Sequence, residues 1–125
     1  LASGFYEWQK QGGKKQAYYI YRSDKRPLAF AGLWDLWENN ITGDAIESCT
    51  IITTSATQQM AQIHERMPVV LESENYDTWL DPEFNDTEVL QDILIAPRDD
   101  VLEMHPVSTY VNTSRNDGEA CIERL

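Results

Sequence analysis

The sequence predicts an α+β fold: a mixed, largely antiparallel β-sheet or open barrel with short flanking helices. Three observations lead there. Stretches rich in β-branched and aromatic residues, at 16–22 (QAYYIYR) and 49–54 (CTIITT), read as strands. Turn-forming clusters such as Gln11-Gly12-Gly13-Lys14-Lys15 separate these stretches from their neighbours. The helical patterns are short and show no regular strand–helix–strand alternation, which argues against a parallel α/β sheet.

The elements follow in chain order. Residues 4–8 (GFYEW) form an aromatic strand, and the Gly12-Gly13 turn leads into the strand 16–22. Residues 28–33 (LAFAGL) read as its hairpin partner across a charged turn from Ser23 to Pro27. Trp34 and Trp37 are expected in the core or at its rim, and Cys49, heading an apolar run, is expected to be buried. Ser55 can cap a helix over 56–64, with Met60, Ile63 and Met67 near one face. Pro68 ends that helix before a short buried strand, Val69-Val70-Leu71. Two short helices follow at 75–80 and 86–95, the second carrying Val89, Leu90, Ile93 and Leu94 as its apolar stripe. Residues 104–111 return to an extended pattern, and 115–118 (RNDG) make a polar turn.

Composition narrows the function classes. The 125 residues carry a net charge of −11, which opposes nonspecific attraction to nucleic acid or anionic membrane. The charge is polarised: residues 1–34 hold six basic and two acidic groups, whereas 35–125 hold four and nineteen. A local basic face on an acidic body and a solvated lysine-rich loop both fit that balance. No stretch approaches the ~20 apolar residues of a membrane span, so no membrane partner is expected. Cys49 and Cys121 fit no metal spacing, and the acidic residues between 77 and 92 form no calcium loop, so no metal or cofactor is expected.

Two segments carry the chemistry. His64-Glu65-Arg66-Met67-Pro68 places an imidazole two residues from a guanidinium. Histidine suits proton transfer near neutral pH, and arginine holds phosphate or carboxylate through paired N–H groups. Glu7 is the single carboxylate among the rings of Phe5, Tyr6 and Trp8. A carboxylate and an imidazole together make an acid/base pair for work beside an anionic substrate.

The ordered set GFYEW at 4–8, AYYIY at 17–21, AGLWDLW at 31–37 and CTIITTSA at 49–56 resembles the SOS-response-associated peptidase (SRAP) family. The resemblance continues through IHERMP at 63–68, WLDP at 79–82, PVSTYVN at 106–112 and RNDGEACIE at 115–123, covering nearly the whole chain. It implies an SRAP-like fold and a sensor of abasic sites in single-stranded DNA, acting in the DNA damage response. In the complete family domain an N-terminal cysteine captures the ring-opened sugar aldehyde through its amine and thiol. An imine forms first and then a stable thiazolidine crosslink. By position in the motifs, Glu7 and His64 take the catalytic roles, Arg66 grips the DNA backbone, and Thr53 and Trp8 are further DNA-binding candidates.

The family's Cys-Gly-Arg start is not among these residues, and neither Cys49 nor Cys121 has the free α-amine that the thiazolidine needs. The chain opens on Leu1-Ala2-Ser3, without methionine, as though further sequence preceded it. Residues 1–125 are therefore expected to be one partial SRAP-like domain, the C-terminal half to two-thirds, with the N-terminal part missing. The expected partners are single-stranded DNA with abasic sites and the N-terminal segment carried as a separate chain. The alternatives are a peptidase with autoproteolytic processing, which the family name asserts, or an inactive half that only binds DNA or a partner. The resemblance places a bacterial protein in the cytoplasm with the nucleoid and a eukaryotic one in the nucleus.

Overall fold

Gly12 and Gly13 reverse the chain between β1 (Phe5–Gln11) and β2 (Lys14–Arg22), with φ of 52° and 86°. Two successive positive φ values match the right-handed twist of a tight hairpin, and glycine reaches them without steric cost. The computed structural model describes residues 1–125. β2 pairs antiparallel with β1 on one edge and with β7 (Leu102–Pro106) on the other, so it is the central strand. Ile20, opposite Phe5 and Met104, is fully buried against Leu28, Met60, Met67, Val70 and Leu102. Its other neighbours in sequence, Tyr19 and Tyr21, face a second cluster with Ala17 and Val107. This is the period-two alternation of a strand buried on both sides. Gly4 lets the chain enter close to β2. A Cβ there would lie 2.5 Å from the Ile20 carbonyl oxygen and against the Tyr19 ring.

The α+β class holds, with antiparallel pairing throughout and no closed barrel: the strands form three separate sheets. The expected hairpin between 16–22 and 28–33 does not form. Both edges of β2 are taken by β1 and β7, which leaves residues 28–33 no edge to join. Residues 29–31 run instead beside Val69-Val70-Leu71, with Ala31 N–H donating to the Val69 carbonyl and Leu71 N–H to that of Ala29. Ala29, Ala31, Val69, Leu71 and Ile93 make a further buried cluster and Val70 joins the first, so the short strand expected at 69–71 is buried as read.

From Gly32 the chain leaves the core as a ribbon, β3 (Gly32–Glu38) paired with β4 (Ala45–Ile51), every residue of which is exposed. Trp34 is 75% exposed and Trp37 54%, so neither lies in the core. Cys49, opposite Trp34, is exposed and not buried. The apolar pattern is that of covered strands, but nothing in these residues packs on them. The buried thiol is Cys121.

β5 (Thr53–Ser55) and β6 (Arg66–Pro68) form a small antiparallel pair. The helix expected over 56–64 is absent; a single 3-10 turn at Met60–Gln62 stands in its place. Ala56 N–H bonds the Glu65 carbonyl at 3.0 Å, which pins the two ends of the segment together. A nine-residue helix would hold them roughly 13 Å apart. Thr57 Oγ1, not Ser55, accepts the amide at the turn, from Met60 at 3.3 Å. The two later helices appear as read: α1 (Tyr76–Leu80) and α2 (Thr87–Ile93). Asp86 caps α2 by accepting from the amides of Glu88 and Val89. Of the α2 stripe, Ile93 is buried, Leu90 and Leu94 partly so, and Val89 is exposed. The extended run expected over 104–111 ends at Pro106, and a 3-10 turn occupies Thr109–Asn112.

Candidate functional site

β6 delivers the His-x-Arg motif. Arg66 lies opposite Ser55 and diagonally across from Thr53, on one face of the β5–β6 pair. Its Nη2 donates to the Thr53 carbonyl at 2.5 Å and to Thr53 Oγ1 at 2.8 Å, and its Nε donates to the same hydroxyl at 3.2 Å. No carboxylate lies within 4.0 Å of this guanidinium; the ion pairs of the molecule lie elsewhere. The group is therefore a cation held by Thr53, with its Nη1 donors free for an anion.

His64 is tied to the same strand. Its Nδ1 lies 3.1 Å from the Arg66 backbone N–H, which donates to it when the ring is neutral with its proton on Nε2, and the residue is exposed. The Arg66 carbonyl lies 3.0 Å from the same nitrogen. A protonated ring can donate to that carbonyl instead. As acceptor or as donor, the nitrogen thus has a partner on Arg66. Thr53, His64 and Arg66 form one hydrogen-bonded unit.

Glu7 arrives from β1. It pairs with Tyr18 and is half-buried, and its Oε1 accepts from the Trp8 N–H at 3.0 Å. Glu7, Phe5 and Gln9 share one face of β1. Gln9 Nε2 donates to the Gln62 carbonyl at 2.6 Å, two residues before His64. The face that carries Glu7 is thereby fastened to the turn that delivers the histidine. Neither Gln9 nor Gln62 stands out in the sequence: they are 53 positions apart and belong to no local pattern.

Trp8 points to the opposite face. Its Nε1 donates to Asn112 Oδ1 at 2.7 Å, and its ring packs near Tyr6. It edges a groove of about 570 Å³ with Tyr6, Ser114, Asn116 and Cys121. Burial raises the Tyr6 phenol above its ordinary value of 10.0, and the Cys121, Tyr19 and Asp117 groups add to that. Lys10 and Lys15 stand opposite one another beyond Trp8, at the exposed hairpin tip.

The other basic groups of the first 34 residues are mostly spent internally. Arg22, nearly buried, donates to Asp24 and Glu72, and Arg26 adds a bond to Asp24 at 2.8 Å. The Arg22 hydrogen bond, followed by those from Arg26, holds the Asp24 carboxyl far below its ordinary 3.8. Lys25 sits 3.8 Å over the Tyr21 ring and pairs with Glu103. The basic face allowed by the charge balance reduces to the lysines of the hairpin tip.

The chain is 39% identical to abasic site processing protein HMCES of Gallus gallus, over 98% of this chain and 41% of the relative. It is also 39% identical to abasic site processing protein YoqW of Bacillus subtilis, over 98% of this chain and 54% of the relative. A crystal structure of a protein from Bacteroides thetaiotaomicron superposes with a TM-score of 0.85 at 28% identity, covering 98% of this chain and 54% of that one. The chain thus spans about half the length of the relatives it matches. The family model described as SOS response associated peptidase (SRAP) matches residues 1–114, and the chain belongs to that family.

Proposed function

We propose that this chain is part of an abasic site processing domain that acts on single-stranded DNA in the DNA damage response. The observation that carries the reading is the Thr53–His64–Arg66 unit: an unpaired guanidinium held by Thr53 beside an exposed imidazole. The relatives' names, abasic site processing protein, agree with an anionic substrate of that kind. Arg66 and Thr53 grip a backbone phosphate next to the lesion. His64 acts as general acid/base on the opened sugar, and Glu7 assists proton transfer at the attacking amine. Trp8 offers a ring for base stacking from the opposite face, with Lys10 and Lys15 beyond it for phosphate.

The amine and thiol that form the thiazolidine belong, in this reading, to an N-terminal cysteine outside residues 1–125, with the present residues as the C-terminal part of one domain. The amine adds to the sugar aldehyde, water leaves to give an imine, and the thiol closes the ring on the imine carbon. Such a protein works on DNA in the bacterial cytoplasm or the eukaryotic nucleus. No helix of the chain is long and apolar enough to cross a membrane.

The test is binding of the purified chain to a single-stranded oligonucleotide carrying one tetrahydrofuran abasic analogue, followed by fluorescence anisotropy. The expected result is tighter binding than to the matching duplex and a loss on Arg66→Glu. Equal binding of single strand and duplex, unchanged by Arg66→Glu, would overturn the reading.

A further inference from the structure

Lys10 and Lys15 stand opposite one another at the end of the β1–β2 hairpin, and Lys14 follows the Gly12–Gly13 turn beside them. Directly opposed side chains on paired strands have their Cβ atoms only about 5 Å apart, and like charges placed there destabilise the pairing. The molecule does nothing to offset that repulsion. None of its ion pairs includes these lysines, and Glu7 is the single carboxylate between residues 4 and 19. All three side chains are exposed. The chain has 21 acidic residues, yet it leaves these cations without one. A repulsion kept at an exposed tip marks a place where an anion from outside completes the structure.

Position identifies the anion. β1 pairs with β2 on one edge only, so its other edge is open. Side chains alternate along β1, so Tyr6, Trp8 and Lys10 share a face in steps of about 7 Å, and Lys15 joins them from β2. Rings followed by ammonium groups in that order suit the bases and phosphates of one extended single strand. A compact anion would meet only the tip, without the rings. The net charge of −11 gives DNA no attraction at a distance, so the tip acts on a strand long enough to touch it. Along β1, Lys10 is about 10 Å from Glu7, roughly two nucleotide steps.

We propose that the β1–β2 hairpin reads the flank of the lesion: Lys10 and Lys15, with Lys14, hold backbone phosphates about two nucleotides to one side of the abasic site, and so set the length of single strand the domain requires. The proposal rests on the reading of the chain as part of an abasic site processing domain. It adds to that reading a one-sided strand requirement, carried by residues separate from Arg66 and Thr53.

The probes are single-stranded oligonucleotides with one tetrahydrofuran abasic analogue, in which one flank and then the other is trimmed stepwise from about six nucleotides to none. Fluorescence anisotropy at several salt concentrations gives affinity and salt slope. Trimming one flank below about two nucleotides should weaken binding by about tenfold and lower the slope by about two. Lys10→Gln/Lys15→Gln should produce the same loss on the long strand and make affinity indifferent to trimming of that flank. The variant should unfold at the same urea concentration as the wild type or a higher one, since it removes a repulsion. That measurement uses no DNA and separates loss of contact from loss of fold. Lys25 pairs with Glu103, and Lys25→Gln should leave the slope as it is. The proposal is overturned if the double variant keeps wild-type affinity and slope, if it still responds to trimming of that flank, or if its urea midpoint falls. With a loss on Arg66→Glu but none on Lys10→Gln/Lys15→Gln, the hairpin falls and the phosphate role of Arg66 stands. With the reverse, Arg66 loses that role and the hairpin keeps its own. An absence of binding to every strand overturns both.

Discussion

Gln9 donates its side-chain amide to the Gln62 carbonyl at 2.6 Å, joining the strand that carries Glu7 to the turn that precedes His64. The bond closes a contact between two segments 53 residues apart. Tyr18 Oη lies 3.3 Å from the Gln9 Oε1, so the amide is held from its other end as well.

Gln9→Ala should cost about 1 kcal/mol of stability, the usual net worth of one such bond. Urea unfolding followed by tryptophan fluorescence measures it. The His64 ring resonances should also shift, because the turn before them is released. A variant with wild-type stability and an unmoved His64 signal would show that the bond does not position the site.

Thr53→Val removes the hydroxyl that accepts from Arg66 Nε and Nη2 while leaving the charge in place. Affinity for an abasic single strand should fall by about tenfold or less, with the salt slope kept, because the slope counts cations and not their rigidity. Arg66→Glu should lower the slope itself by about one or more. If Thr53→Val lowers the slope and Arg66→Glu does not, the roles assigned to the two residues are wrong.

Ile20→Ala empties a fully buried position in the central strand and should cost about 2–5 kcal/mol. The midpoint of urea unfolding should fall with little change in its slope. A cost below about 1 kcal/mol would mean that the first core cluster collapses around the gap.

Asp24 supplies a pH dependence of definite sign. Its carboxyl is depressed in the folded chain by Arg22 first and then by Arg26, so the unfolded chain binds the proton more readily. The contribution is complete at neutral pH, begins to fade as pH falls towards the ordinary 3.8, and is lost through the lower folded value. Glu103, depressed by its Tyr21 hydrogen bond and then by Lys25, acts in the same direction. Asp24→Asn should therefore flatten the acid limb of a melting-temperature profile below about pH 4. An acid limb identical to that of the wild type would show that Asp24 is not linked to folding.

Much of this was legible in residue order. The Gly12-Gly13 pair and charged clusters marked the turns, the apolar stripe of Val89, Leu90, Ile93 and Leu94 marked a helix, and the motifs named the family. Pairing was not legible, because composition says that 16–22 is a strand but not that a segment some eighty residues later closes its second edge. The helix over 56–64 failed for a related reason. Met60, Ile63 and Met67 have helical spacing, but the bond that ties Ala56 to Glu65 across the segment is a constraint that spacing does not carry. Trp34, Trp37 and Cys49 misled in the opposite sense. Their composition reads as buried surface, yet all three are exposed on a two-stranded ribbon. At the site, His64 and Arg66 announced themselves within five letters, whereas Gln9 and Gln62 left no local trace.

The Gly12–Gly13 turn governs more than the shape of a hairpin. Side chains alternate along β1, so Glu7 and Trp8 are separated by a face as well as by a residue. A turn longer or shorter by one residue would slide β1 by a single step against β2, bringing Trp8 to the histidine side and sending the carboxylate to the asparagine. Two residues without side chains, about 17 Å along the strand from Glu7, thereby decide which side chains share the face of Gln9. An insertion or deletion there would act as a parity error: one residue would invert the site, and two would restore its facing.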